Sequence, residues 1–240
     1  MNSSVPASHR RAQRLVDPAR PRQGLAINAV RSLVIATAIC VLPDCSSAHQ
    51  PPPNAQRLFA GENVLIVYLS RTNNTKTIAE FIQQRVGGTI VAIELERPYP
   101  ADYEATVQQV AQENDTGYLP PLKTKIDRIE QYDVVFLGFP TWGMQLPPPM
   151  KSFLRQHNLR GKTVIPFNTN AGYGVGSAFQ TVRDLCARCT VLEGFSTRGG
   201  VERDGQYLAI QGAKAAEVRR ELESWLRKTH ATFARSVAPR

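Results

Sequence analysis

Three short stretches of the chain gather residue types suited to holding a ligand. In Ser70-Arg71-Thr72-Asn73-Asn74-Thr75, hydroxyls and amides interrupt an apolar run and precede an amphipathic one. A chain that merely reverses direction does so more economically with Gly, Pro or Asp-Gly. With Thr75 expected at the N-cap of the following helix, the hydroxyls and backbone N–H groups face that helix's positive end, which makes an anion site. The stretch lacks the Gly-Lys-Ser/Thr of a nucleoside triphosphate loop and the GxGxxG of a dinucleotide loop, so a single terminal phosphate is the natural ligand. The competing reading is a well-capped helix after a polar loop.

The second stretch, GFPTWGMQLPPPM (138–150), places Trp142, one of two Trp in the chain, among Pro140, Thr141 and Gly143. An aromatic on such a loop suits stacking against a flat ring, worth about 0.5–1.5 kcal/mol beyond area burial. Alternatively, it folds down onto a sheet edge. The third stretch, NTNAGYGVGS (168–177), alternates three Gly with small and polar residues and begins with Thr169, Asn170, Ala171 and Gly172. Backbone of this kind approaches a planar ligand closely, or else it is a linker. A phosphate cradle, an aromatic platform and a small-residue edge converge on a phosphorylated flat heterocycle.

Regular elements must bring these stretches together. Apolar runs at 64–69 (VLIVYL), 89–95, 132–139, 162–168 and 190–195 read as buried strands. Helical patterns fall between and after them, at about 76–86, 102–114, 149–157, 176–185 and 212–228. Strands that are apolar throughout are covered on both faces, which predicts an α/β fold: a doubly wound five-stranded parallel sheet of order 2-1-3-4-5 with helices on both faces. In such sheets ligands bind at the carboxyl ends of the strands, and that is where all three stretches fall.

On these residues the chain resembles a flavodoxin. Ser70 to Thr75 resembles the Ser/Thr-x-Thr-Gly-Asn-Thr phosphate loop, with Asn73 where Gly is usual; Asn is the non-Gly residue that best tolerates a left-handed backbone. Gly138 to Gly143 resembles the loop that packs an aromatic on the isoalloxazine ring, and Thr169 to Gly172 the loop on its other edge. The resemblance implies a short-chain type that binds FMN and moves electrons to a redox partner protein or a small electron acceptor. It also implies that a peptide of the second loop, for which Gly143 offers the freest backbone, turns toward the reduced flavin, and that no side chain is catalytic. An NAD(P)H-dependent reductase acting on quinones or similar acceptors, and a non-catalytic binding module, are the other readings of the same fold.

Composition bounds the rest. Of the formal charge of +9, residues 1–48 contribute +4 from six Arg against Asp17 and Asp44, leaving +5 for the remainder. That balance shows no dense Lys/Arg stripe, so nucleic acid is not an expected partner. Family carriers are usually acidic, which separates this chain from their usual partners. The run from Leu33 to Leu42 is too short to span a bilayer, but with Arg31 before it and Pro43 and Ser46-Ser47-Ala48 after it, it suits a secretory signal cleaved after Ala48.

Translation from about Val30, lipidation of Cys45, a twin-arginine address at Arg10-Arg11, and a disordered leader on a cytoplasmic protein are alternatives. The expected organisation is a leader (1–48), a Pro-rich linker (49–62), the FMN-binding domain (63–230) and a tail (231–240), with no membrane span in the mature chain and nothing that calls for more than a monomer. Cys186 and Cys189 read as structural or unpaired rather than as a redox pair, because thioredoxin-like pairs open a helix and these end one. The scattered His residues predict no metal site.

Overall fold

A computed structural model describes residues 57–238. The expected leader, and the linker up to Gln56, lie outside them. The elements run β1 (Val64–Tyr68), α1 (Asn74–Val86), β2 (Thr89–Ala92), α2 (Tyr103–Thr116), β3 (Val134–Pro140), α3 (Pro148–Gln156), β4 (Thr163–Asn170), α4 (Ala178–Leu185), β5 (Thr190–Val191), β6 (Phe195–Arg198) and α5 (Gly212–Val237). All strand pairs are parallel, in the order β2-β1-β3-β4-β5, and β6 also pairs with β4. This is the doubly wound sheet that the apolar runs predict.

Alternation along the strands divides the core in two. Leu65, Val67, Val135 and Leu137 point to the face covered by Met150 and Phe153 of α3 and Ala178 and Val182 of α4. Ile66, Val134 and Phe136 point to the face covered by Ile78 and Ile82 of α1 and Val218, Leu222 and Leu226 of α5. Each of these side chains larger than alanine contributes roughly 1.5–3 kcal/mol by leaving water. Two sheet faces sealed in this way hold the strand ends, and so the loops, in fixed register.

Several boundaries differ from the sequence reading, and β2 ends at Ala92 rather than at position 95. Helix α1 begins at Asn74, with Asn73 and not Thr75 at the N-cap. The fifth strand is interrupted after Val191 and resumes as Phe195–Arg198. Gly194 marks the break: a Cβ there would lie 2.6 Å from the Phe179 ring, so α4 presses on the backbone where the strand should be continuous. Helix α5 continues past Lys228 to Val237 because Phe233 is buried in the second core. The end of the expected linker also joins that core, with Phe59 packed against Phe136, His230 and Phe233. Among the described residues no helix is long and apolar enough to cross a membrane.

Candidate functional site

The loop after β1 is tied down by its own side chains. Asn73 takes φ +64°, the left-handed conformation that its amide tolerates, and this swings the chain into α1. Ser70 Oγ accepts the N–H of Lys76 at 3.3 Å, whereas the N–H groups of Asn74 and Thr75, in the first turn, have no partner within the helix. Asn74 is buried: its Nδ2 donates to Thr72 Oγ1 (2.9 Å) and to the Tyr207 carbonyl (2.6 Å), and its Oδ1 accepts from the N–H groups of Ala209 and Ile210. Because Thr72 Oγ1 accepts there, its own O–H remains to be donated. Thr75 Oγ1 lies 2.8 Å from Thr169 Oγ1, and whichever donates, the other keeps its hydrogen for a ligand.

Arg71 behaves differently from an anion-binding arginine. Its Nε donates to Glu202 at 2.6 Å, and its two terminal nitrogens donate to the carbonyls of Pro100 and Ala101. The guanidinium therefore ties its own loop to two other segments at the rim. Positive charge at the cradle comes instead from the N-terminus of α1.

After β3, Thr141 is fixed by three residues: its N–H donates to the Thr169 carbonyl, and its Oγ1 donates to the Gly174 carbonyl and accepts from Asn168 Nδ2. Trp142 and Gln145 then exchange backbone hydrogen bonds around Gly143 and Met144, at φ +54° and +59°. Two left-handed central residues make the tight reversal typical of a type I′ turn. The Met144 carbonyl is held by the N–H of Ser177 at 2.9 Å, so the turn leans on the loop after β4. Trp142 is half-buried and meets the Tyr99 ring edge-on, with centroids 5.3 Å apart. Burial, and then the hydrogen bond that Tyr99 donates to the Glu113 carboxylate, push the Tyr99 phenol far above its usual range. Tyr99 is thus a neutral prop beneath the indole.

After β4, Asn170 closes its own loop: Oδ1 accepts from the N–H groups of Gly172 and Gly174, while Nδ2 donates to Asn168 Oδ1 and Ser196 Oγ. Gly199 N–H donates to the Asn170 carbonyl at 2.8 Å, which brings in the end of β6.

These loops enclose one cavity. Of the residues singled out from the sequence, Arg71, Thr72, Asn74, Thr75, Pro140, Thr141, Trp142, Thr169, Asn170 and Ala171 line it. Ser70 and Asn73 shape the backbone beneath it; Gly172 lies outside it, at φ +104° beside Arg198; Gly143 lines an adjoining cavity instead. Tyr103, Gly199, Gly200 and Glu202 also line the first cavity and were not among the sequence expectations. The signal for the glycines was present, since Ser-Thr-Arg-Gly-Gly stands at a strand's carboxyl end once the last strand is carried to Arg198. Cys186 and Cys189 form a disulfide after α4, at the sheet edge opposite these loops.

The comparisons with known proteins agree with this architecture. A candidate flavoprotein from Bacteroides eggerthii DSM 20697 is 27% identical at a TM-score of 0.57, covering 70% of this chain and 98% of that one. Its counterpart from Bacteroides uniformis ATCC 8492, at 23% identity and 0.57, covers 69% and 98% and shows likeness of fold. A flavoprotein from Lactobacillus acidophilus NCFM, solved in complex with FMN, is 25% identical at 0.51 and covers 60% and 98%. No curated protein sequence matches the chain. The flavodoxin family model matches residues 63–206, well over half of the chain, and the chain belongs to the flavodoxin family.

Proposed function

We infer that this chain binds FMN in the cavity at the ends of β1, β3 and β4 and works as an electron-transfer protein. The observation that carries this is the pairing, in one cavity, of hydroxyl and backbone donors at the start of α1 with an indole across from them. Thr72, oriented by Asn74, and the Thr75–Thr169 pair suit a phosphate, as do the first-turn N–H groups of α1. Trp142, propped by Tyr99, suits the ring. Bound FMN supplies the redox chemistry; the protein holds its two ends and limits water at the ring. Titration of the purified protein with FMN tests this. Saturable uptake giving a yellow protein is the expected result, and no uptake overturns it.

Electron delivery to a partner protein or a small acceptor, and export of the folded domain, are parts of the same proposal. Export is supported by the apolar run at 33–42 with its small-residue exit, and by the Cys186–Cys189 disulfide, since such bonds persist in oxidising compartments. A reporter fused to residues 1–55 is expected to leave the bacterial cytoplasm. A reporter that stays inside uncleaved removes that part of the proposal.

A further inference from the structure

Beneath the indole the fold buries a carboxylate that lines neither cavity. Glu113 of α2 is 5% exposed and forms no ion pair among the described residues. Its oxygens are held by neutral donors alone: the Tyr99 hydroxyl donates to Oε2 at 2.5 Å, and Gln109 Nε2 to Oε1 at 2.8 Å. A buried charge balanced only by neutral groups is costly, so the interior gains when this carboxylate takes up a proton. The one titratable proton in contact with it is that of Tyr99. The raised pKa of the phenol keeps that proton in place until the ring loses an electron, which turns a phenol into a strong acid. Trp142 stands where it can take that electron. The two rings meet edge-on with centroids 5.3 Å apart, a contact across which an electron passes readily. Trp142 Nε1 has no hydrogen-bond acceptor among the described residues, so an indole stripped of an electron keeps its positive charge. Trp225 differs: its Nε1 donates to the Glu193 carbonyl, and its ring contacts are Phe136 and Phe195. Tyr103 shares both cavities with Trp142, but its hydroxyl has no acceptor among the described residues.

We propose that Tyr99 is a redox-active tyrosine that returns an electron to oxidised Trp142 while its phenolic proton passes to Glu113. One electron moves from the phenol to the indole radical cation, the O–H bond of Tyr99 breaks, and an O–H bond forms on Glu113 Oε2. A neutral indole, a neutral tyrosyl radical and a neutral carboxylic acid remain. The step cancels a positive charge against a negative one inside the protein, which a low-dielectric interior favours. The proton runs along a hydrogen bond that already exists, so no side chain has to move. The oxidant is any one-electron acceptor strong enough to oxidise indole. On the FMN reading, oxidised flavin excited by light beside Trp142 is such an acceptor, and only in that respect does the inference rest on that reading. The oxidising equivalent thus leaves the platform for the interior beneath it, and the indole is restored. An external one-electron reductant of the thiol or enediol class then refills Tyr99, and Glu113 hands the proton back.

Pulse radiolysis of the flavin-free full chain with azidyl radical, which oxidises indole in preference to phenol, tests the step without the cofactor. The expected result is decay of the indole radical absorption with a matching rise of the tyrosyl band, at a rate independent of protein concentration and slower in deuterium oxide. Tyr99→Phe and Trp142→Phe are each expected to abolish the tyrosyl rise, the second leaving only a Trp225 radical that decays without transfer. Glu113→Gln keeps a hydrogen-bond acceptor but removes the base, and should slow the rise about a hundredfold. Should Tyr99→Phe fail to fold, Glu113→Gln and the deuterium effect decide the matter. Indole radicals that decay with no tyrosyl band, a rise that survives Tyr99→Phe and so comes from Tyr103 or another ring, or a rate indifferent to Glu113→Gln and to deuterium overturns the proposal. Transfer with these sensitivities in a protein that takes up no FMN supports the relay and overturns the flavin reading alone.

Discussion

In the loop after β1, the side chains of Arg71, Asn74 and Thr75 are bonded to distant parts of the fold, and those of Ser70 and Thr72 to the start of α1. The turn after β3 is held mainly by its own backbone, and its tip residues Gly143 and Met144 are exposed. The difference matches what each end has to hold. A phosphate keeps its charge through a redox cycle, so its donors gain from being fixed in advance. A flavin ring changes charge and hydrogen-bonding pattern with oxidation state, and a turn tied at Trp142, Met144 and Gln145 leaves the Gly143 peptide freer to respond. The rigid loop should therefore fail by losing fold and phosphate together, and the looser one by losing the ring alone.

The largest expected effect is at Asn74. Asn74→Ala leaves the N–H groups of Ala209 and Ile210 and the Tyr207 carbonyl without their partners, at about 1–3 kcal/mol for each group that stays buried. Urea denaturation should show a loss of roughly 3 kcal/mol or more, and FMN affinity should fall because Thr72 is no longer oriented. A loss under about 1 kcal/mol would mean that the β1 loop does not need its clasp, and the contrast with the β3 turn would collapse. Thr72→Ala comes next. It removes one hydroxyl from the dianion site while keeping the clasp, so FMN binding should weaken by about 1.5–3 kcal/mol and riboflavin binding hardly at all. Equal loss for both ligands would make this loop merely a helix start. Thr75→Ala is less clean, since it also strips Thr169 of its partner.

How much of this was legible in the sequence depended on whether the signal was local. Continuous apolar runs exposed β1, β3 and β4, because burial on both faces leaves no polar alternation, and the three loops followed from the strand ends. The N-cap was misplaced by two residues because Thr75 and Asn73 are both good capping types, and what decides between them is the hydrogen bond between Thr75 and Thr169, 94 residues apart. The last strand was cut short because the pressure of Phe179 on Gly194 is a tertiary contact with no local mark, and with it went Gly199 and Gly200. Tyr99, Tyr103 and Glu202 escaped notice for the same reason. Each belongs to a segment brought to the cavity by packing. Arg71 enters the sequence reading only as one residue of the phosphate loop, and it is Glu202 and the carbonyls of Pro100 and Ala101 that reveal its guanidinium as a clasp.

At the looser end, Trp142→Ala removes the platform and should weaken FMN and riboflavin alike, by about 0.5–1.5 kcal/mol beyond lost area. Flavin fluorescence quenched by the indole should also return. Selective weakening of FMN would place the indole at the phosphate end and reverse the assignment of the two ends.

The smallest effect gives the sharpest comparison, because each loop holds one non-glycine residue in the left-handed region: Asn73 at φ +64° and Met144 at φ +59°. A left-handed backbone costs an ordinary residue about 1–2 kcal/mol, while Asn recovers much of that through its short polar side chain. Replacement by Gly relieves the strain but loses about 0.5–1 kcal/mol to the unfolded chain's added freedom. For Asn73→Gly the two nearly cancel or favour Asn. For Met144→Gly the relief is larger, and the exposed methionine side chain forfeits little packing, so stability should rise by up to about 1 kcal/mol. Paired thermal melts of the two variants read the difference directly. A Met144→Gly variant no more stable than Asn73→Gly would show that the turn under the ring carries no strain, and that its looseness is only the absence of side-chain ties.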